Sequence, residues 1–363
     1  MKRSLYWVTK DLRINDNTAL NIASKSDLLI CVFVVDKKWF EPNHYQSKSL
    51  GGNRWHFLQS CLSDFNERLL TFGQQLYIVY GDTFSTLGNL CEKYRITDVI
   101  TTHLPGTYEN NIITQFSDSF PQVTVNKVEQ FTLFTKTLLP FELQQLPVSY
   151  SKFRKIMTDV AIPKLAPTVQ NLPSQFKSMP SPTIFRPQWL PPILYKKVKQ
   201  GFNFDGGEHD GLKHLNQYFS SNLPTTYKEV RNNLDGWDNS SKLSPWLGSG
   251  CISPRQVMNA IVEFEDKQGK NSSTECLFLE ILWREYFQWL HFKVGKKMYQ
   301  FKGLSEHLPL TTFYPERFNK WCTGNTPYPL VNACMNELRK TGYLSNRGRQ
   351  IVASCLDRFS LAN

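Results

Sequence analysis

Ser240, Ser241, Lys242, Leu243 and Ser244 run directly into Pro245. Clustered hydroxyls and one cation, followed by a proline suited to the first turn of a helix, make a place for a phosphate or pyrophosphate. A polar loop ending in an N-cap is the plainer alternative. Farther along, Glu280–Trp289 reads EILWREYFQW. On a helix, Glu280, Trp283 and Phe287 share one face, while Arg284 and Trp289 lie elsewhere. A carboxylate three residues from an indole could hold a nucleobase, by hydrogen bonds to its edge and by stacking on its plane. An aromatic core stripe with a salt-bridged glutamate has the same pattern. Near the end of the chain, Asn346-Arg347-Gly348-Arg349-Gln350 sets two guanidiniums about a glycine. Those suit phosphates, and Asn346 can pair with a base edge; a solvated helix start is the alternative. A fourth segment, Gly206–Phe219, opens on glycines and continues as an amphipathic helix, whose plain reading is a capped core helix. No side-chain acid, base or nucleophile stands out.

These segments all lie in the second half of 363 residues, a length that suits two domains. The charge is divided the same way. Basic and acidic residues balance at 14 each in residues 1–150, whereas residues 151–363 hold 28 basic and 17 acidic, the whole net charge of +11. That asymmetry is expected if the second part meets phosphates and the first does not. With 40% hydrophobic and 20% charged residues, the chain can pack large cores. The longest apolar run, Leu28–Val35, is far short of a membrane span. The amino terminus turns charged before a signal-peptide core could form. Eight cysteines without a C-x-x-C pair point to reduced thiols rather than a disulfide frame or a structural zinc. The chain reads as a protein of the cytoplasm or an organelle, neither secreted nor membrane-bound.

The elements that must position the motifs follow from periodicity. Short apolar, β-branched runs at Leu5–Val8, Leu28–Val35, Gln75–Tyr80, Asp98–Thr102 and Val123–Val128 alternate with helical spacing at Arg54–Leu70 and Thr83–Tyr94. Nearly continuous apolar strands between helices predict a doubly wound parallel sheet covered on both faces. No G-x-G-x-x-G follows the first strand, which disfavours nicotinamide binding. From Pro147 to Pro192 come nine of the twenty prolines, read as a connector that carries neither helix nor sheet. After Gly201 helical spacing takes over, at His209–Phe219, Pro254–Glu265, Thr274–Phe292, Tyr328–Thr341 and Asn346–Phe359. The expected organisation is an α/β domain over 1–140, a connector over 141–200 and an all-α domain over 201–363.

In order and spacing, the four motifs resemble the cryptochrome/photolyase family, and within it the DASH-type cryptochromes. The resemblance rests on GGEHDGLKHLNQYF, KLSPWLGSGCISPR, EILWREYF and GYLSNRGRQIVAS, with YWVTKDLRINDNTAL at the amino terminus. It covers essentially the whole chain and implies a photolyase-like α/β antenna domain and a helical domain that holds FAD. In repairing members reduced flavin, excited by light, splits a pyrimidine dimer flipped out of DNA. The DASH type is associated with single-stranded DNA, where the cost of extracting a base is low. By resemblance, Tyr227, Ser240, Ser241, Lys242, Leu243 and Ser244 bind the flavin. Arg231, Arg284, Arg347 and Arg349 contact DNA, and Glu280, Trp283 and Asn346 face the lesion.

Three departures from the family pattern stand out. Glu275-Cys276-Leu277 replaces an aromatic commonly found near the flavin. Pro105-Gly106 stands where relatives tend to carry a glutamate for a folate antenna, 5,10-methenyltetrahydrofolate, although Glu109 is close by. The family pattern also continues past LDRFSLAN into a segment opening D-W-R, so the flavin domain is expected to lack its C-terminal part here. Two rival readings keep the fold: a blue-light receptor that signals through a protein partner, and a flavin-free, vestigial nucleic-acid-binding protein.

Overall fold

The computed structural model describes residues 1–43, 47–176, 204–308 and 313–361. Five strands form one sheet: β1 (Arg3–Trp7), β2 (Leu28–Asp36), β3 (Leu76–Gly81), β4 (Asp98–Thr102) and β5 (Thr124–Val128). Every pairing is parallel and the order is β3-β2-β1-β4-β5. Alternate residues of β2 enter different cores, Leu29, Cys31, Phe33 and Val35 on one face and Ile30, Val32 and Val34 on the other. Burial on both faces is why the strand reads as an unbroken apolar run. Helices α1 (Thr18–Ala23), α2 (Gly52–Leu70), α3 (Thr83–Tyr94) and α4 (Thr107–Ser119) connect the strands. Helices α1 and α4 carry little helical period in their sequence. The first is six residues capped by Asn17, and the second buries only Ile112, Ile113 and Phe116 among polar neighbours.

The proline-rich connector is corrected in its first part. Tyr150–Met157 is a helix, α5, whose Phe153 and Met157 are fully buried one turn apart. No proline falls between Pro147 and Pro163, so nothing there blocks a helix. The segment from 177 to 203 lies outside the described residues.

The second half consists of α6 (Glu208–Phe219), α7 (Leu223–Val230), α8 (Ser244–Ser249), α9 (Pro254–Gln268), α10 (Ser272–Val294), α11 (Pro315–Thr323), α12 (Pro329–Thr341) and α13 (Asn346–Leu361). Capping explains several of these boundaries. Ser253 and Gln256 exchange hydrogen bonds at the start of α9, with Pro254 in its first turn. Asn271 and Thr274 do the same for α10. Helix α10 is the hub, packing against α5, α7 and α9.

The two halves share a core. The cluster on one face of the sheet runs on through Trp246, Cys251, Ile252, Leu282 and Tyr286 of the helical half. The loop after β1, residues 10–17, is the seam. Arg255 Nε donates to both oxygens of Asp16 at 3.0 and 2.9 Å, with side-chain exposures of 7% and 1%. Glu208 accepts from the Ile14 and Asn15 amides and from Asn15 Nδ2, and Arg13 donates to the Gly250 carbonyl at 2.9 Å. Gly250 has φ +75°, and a Cβ there would overlap the Lys10 carbonyl, so only glycine lets this corner close. Among the described residues no helix is long and apolar enough to cross a membrane.

Candidate functional site

Helices α7, α10 and α13 and the loop before α8 surround a hollow of about 180 Å³. Its lining includes Tyr227, Arg231, Ser240, Ser241, Lys242, Leu243, Ser244, Glu280, Asn346 and Arg349, together with Tyr343. The three distant segments singled out from sequence therefore open onto one space, and Gly206–Phe219 supports it from behind. His214 Nε2 donates to the Ser241 carbonyl at 2.8 Å, and its ring stacks on Trp246 at 4.9 Å and 23°. Gly211 makes that packing possible, because a Cβ there would press on the Trp246 indole.

The serine loop is shaped by Lys242. This residue is 4% exposed and has a positive φ of 50°. Its ammonium donates to the Trp237 carbonyl, and lies 3.4 Å from both the Gly236 carbonyl and Ser240 Oγ. It also sits over the rings of Trp237 and Tyr343, 5.0 and 4.9 Å from their centroids. Burial pushes its pKa down to about 8, against the opposing pull of Asp238 and Glu337. Lys242 thus staples the loop as well as charging the wall of the hollow. Ser244 and Pro245 do begin a helix, but α8 has only six residues, so the hydroxyls and cations rather than a long helix dipole dominate the electrostatics.

Glu280, on α10, pairs with Arg231, which follows α7. Burial raises the carboxyl's pKa and the guanidinium lowers it. Both side chains remain about one-third exposed, at 37% and 32%, so the pair adds little stability and stays open to exchange with a ligand. Asn346 and Arg349, at the start of α13, are exposed at the rim. Arg349 Nε is held by the Leu344 carbonyl at 2.9 Å. Arg347 lies outside the lining. It donates to Asn232 and Gln350, both neutral, at 3.1 and 2.9 Å.

Two residues sit differently from expectation. Arg284 lies away from the hollow: its guanidinium is 4.5 Å over Phe131 and 3.2 Å from fully buried Glu285, with 16% of the side chain exposed. Its position one residue beyond Trp283 turns it toward the α/β half, where the seam takes it up. Trp283 does not line the hollow. Tyr150 of α5 stacks on it with centroids 3.5 Å apart and planes at 12°, so one indole face is already covered. Tyr150, Tyr343 and His214 are the residues that sequence reasoning missed. Tyr343 and His214 stand inside the quoted motifs, whereas Tyr150 carries no local signal because its partner lies 133 residues away.

The arrangement can bind an anion along the serine loop and present a carboxylate and an amide beside it. Comparison with known proteins identifies the family. The DNA photolyase family profile matches residues 4–173, and that of the FAD binding domain of DNA photolyase matches residues 277–362. The chain is 40% identical over 352 residues to a cryptochrome DASH of Idiomarina loihiensis, covering 97% of this chain and 77% of the relative. It is 38% identical to one from Vibrio parahaemolyticus, covering 98% and 78%. The crystal structure of a Synechocystis cryptochrome superposes with a TM-score of 0.92 at 30% identity, covering 99% of this chain and 76% of that one.

Proposed function

The chain belongs to the cryptochrome/photolyase family, on its DASH-type flavoprotein side, and from that premise we propose that the hollow takes the diphosphate end of FAD beside a base drawn out of DNA. The observation that carries this is the convergence of Ser240–Ser244, Glu280, Asn346 and Arg349 on one space. The donor set fits a diphosphate. It combines the hydroxyls of Tyr227, Ser240, Ser241, Ser244 and Tyr343 with the cations Arg231, Lys242 and Arg349, and among the described residues Glu280 is the only acid in the lining. At about 180 Å³ the hollow suits the diphosphate and its neighbours rather than the entire dinucleotide.

When bound, FAD supplies the light-driven one-electron chemistry, and the chain's residues bind, orient and exclude water. Ser240–Ser244 hold the phosphates, and Lys242 keeps their loop in shape. Arg231 passes from Glu280 to a DNA phosphate, which releases the carboxylate to a base edge at the position flanked by Asn346. Single-stranded DNA is the preferred partner, because its bases need no unpairing. Repair of cyclobutane pyrimidine dimers, a division into 1–140, 141–200 and 201–363, and a folate antenna belong to the same proposal. For the antenna, a second cavity of about 280 Å³ is lined by His103, Asn110 and Glu129 and by the rings of Trp289 and Phe292.

The direct test is the oxidised-flavin absorption of protein reconstituted with FAD, followed by illumination of the reduced protein with a dimer-bearing oligonucleotide. Protein that stays colourless supports the flavin-free reading, and flavin without dimer reversal supports the receptor reading. The pH profile is a sharper check on the loop. Lys242 loses its proton as pH rises through about 8, well below the usual lysine value. The attraction for phosphate is therefore complete below that pH and falls above it, so FAD retention should decline from about pH 8 upward. Lys242→Met should bind weakly with a flat profile between pH 7 and 9; a parent profile flat over that range contradicts the assignment. For folding the sign is opposite. The burial penalty is full below about pH 8 and is relieved as pH rises toward the unfolded value.

Among the described residues the hydrogen-bond partners of Arg347 are the neutral Asn232 and Gln350, so its charge is available to DNA. Arg347→Ala should lower affinity for all single strands alike and reduce the salt slope by about 0.7. Equal slopes for variant and parent would remove Arg347 from the interface.

A further inference from the structure

We propose that the outer end of α10 and the segment that follows it form a track for the single strand flanking the base held in the cleft, extending contact well beyond the hollow. The proposal rests on the reading of the cleft as a DNA site and adds residues that lie outside it. Trp283 stacks on Phe287 at 5.6 Å and 18°. His291 follows Phe287 by one turn on the same face. The His291 ring meets Tyr299 at 5.2 Å, and Tyr299 and Phe301 are each 66% exposed. The rings thus leave the cleft in line, and at 1.5 Å per residue Glu280 to His291 spans about 16 Å, room for several nucleotides. Lys296, Lys297 and Lys302 are exposed and flank Tyr299 and Phe301 in sequence. Glu109 is close enough to act on Tyr299, so the lysines share this side with at least one acid.

Cations that track a backbone, interleaved with rings on which bases stack, are what a single strand needs regardless of sequence. A membrane surface is the poorer match. It calls for a sizeable amphipathic helix with rings and charges on separate faces, whereas Gly295–Tyr299 is a single five-residue turn with lysines among its neighbours' rings.

The test is fluorescence anisotropy with undamaged oligothymidines of about five and about twenty nucleotides, the shorter covering the cleft alone. It is run on protein with and without FAD, across a salt series. In the triple variant Lys296→Glu, Lys297→Glu, Lys302→Glu, affinity for the long strand should fall at least tenfold. Its salt slope should shrink by about 2, three contacts at about 0.7 each, while the short strand binds as before. The double variant Tyr299→Ala, Phe301→Ala should lose about tenfold on the long strand with its salt slope unchanged. Variants that keep the parent's preference for length and its salt slope overturn the track and leave the cleft reading intact. A parent that binds both lengths weakly overturns both readings. If the charge variant instead loses binding to phosphatidylglycerol vesicles and keeps the oligonucleotides, the face belongs to a membrane and the proposal fails. Loss of FAD alone changes none of these measurements, because the strands carry no lesion.

Discussion

Asp16→Asn is expected to destabilise the protein by about 3–5 kcal/mol, the cost of stripping one partner from a buried ion pair. The asparagine tolerates the positive φ of 52° at this position and keeps the side-chain shape, so the loss reports charge alone. Arg255 would then be left uncompensated at 6% exposure, held only by a neutral amide. Asp16 also accepts from the Ala166 amide at 2.7 Å, a bond that the asparagine oxygen can still accept. Urea unfolding measures the effect, and a midpoint equal to the parent's rules it out. Pairing Asp16→Asn with Arg255→Met should restore much of the loss, because an apolar replacement removes the orphaned charge. A double variant no better than the single would mean that shape, not charge, holds the seam.

With the repair activity proposed above, Glu280→Ala should lower the rate of dimer reversal about a hundredfold, while affinity for undamaged strands holds or rises. A buried polar base edge left without its partner costs about 1–3 kcal/mol, more where charge is involved. The second half of the expectation follows from the ion pair. Freed from Glu280, the Arg231 guanidinium becomes available to the proposed DNA phosphate. The measurement compares turnover and equilibrium affinity on the same oligonucleotide with FAD-loaded protein. Equal losses in both would make Glu280 a general binding residue, and no loss would remove it from the site.

Much of the architecture is legible locally. β2 announces itself because burial on both faces leaves no polar alternation, and α3 and β4 appear at the bounds read from spacing alone. Helices shorter than two turns, such as α1 and α8, give too few periods to be seen. The connector misleads because its prolines are unevenly spread, and the stretch between Pro147 and Pro163 is free to turn helically. At the site, residue types predict chemistry better than they predict direction. Ser240–Ser244 and Glu280 reach one hollow as their chemistry suggests, yet Arg284, adjacent to Trp283, points into the seam. A change of one residue rotates a helical side chain by about 100°, and which rotation meets the cleft depends on how α10 is seated.

Residue order and type alone determined the parallel sheet, the helical second half, the charge excess confined to it, and the family that the four motifs resemble. These are properties of short windows, where burial period and motif chemistry act within a few turns. The tertiary structure decided that Lys242 staples its own loop, that Glu280 is engaged by Arg231, that Tyr150 covers Trp283, and that residues 10–17 lock the two halves together. Each of these joins positions that no local pattern connects. Only packing of the whole core sets the few ångströms on which an ion pair, a ring stack or a buried charge depends.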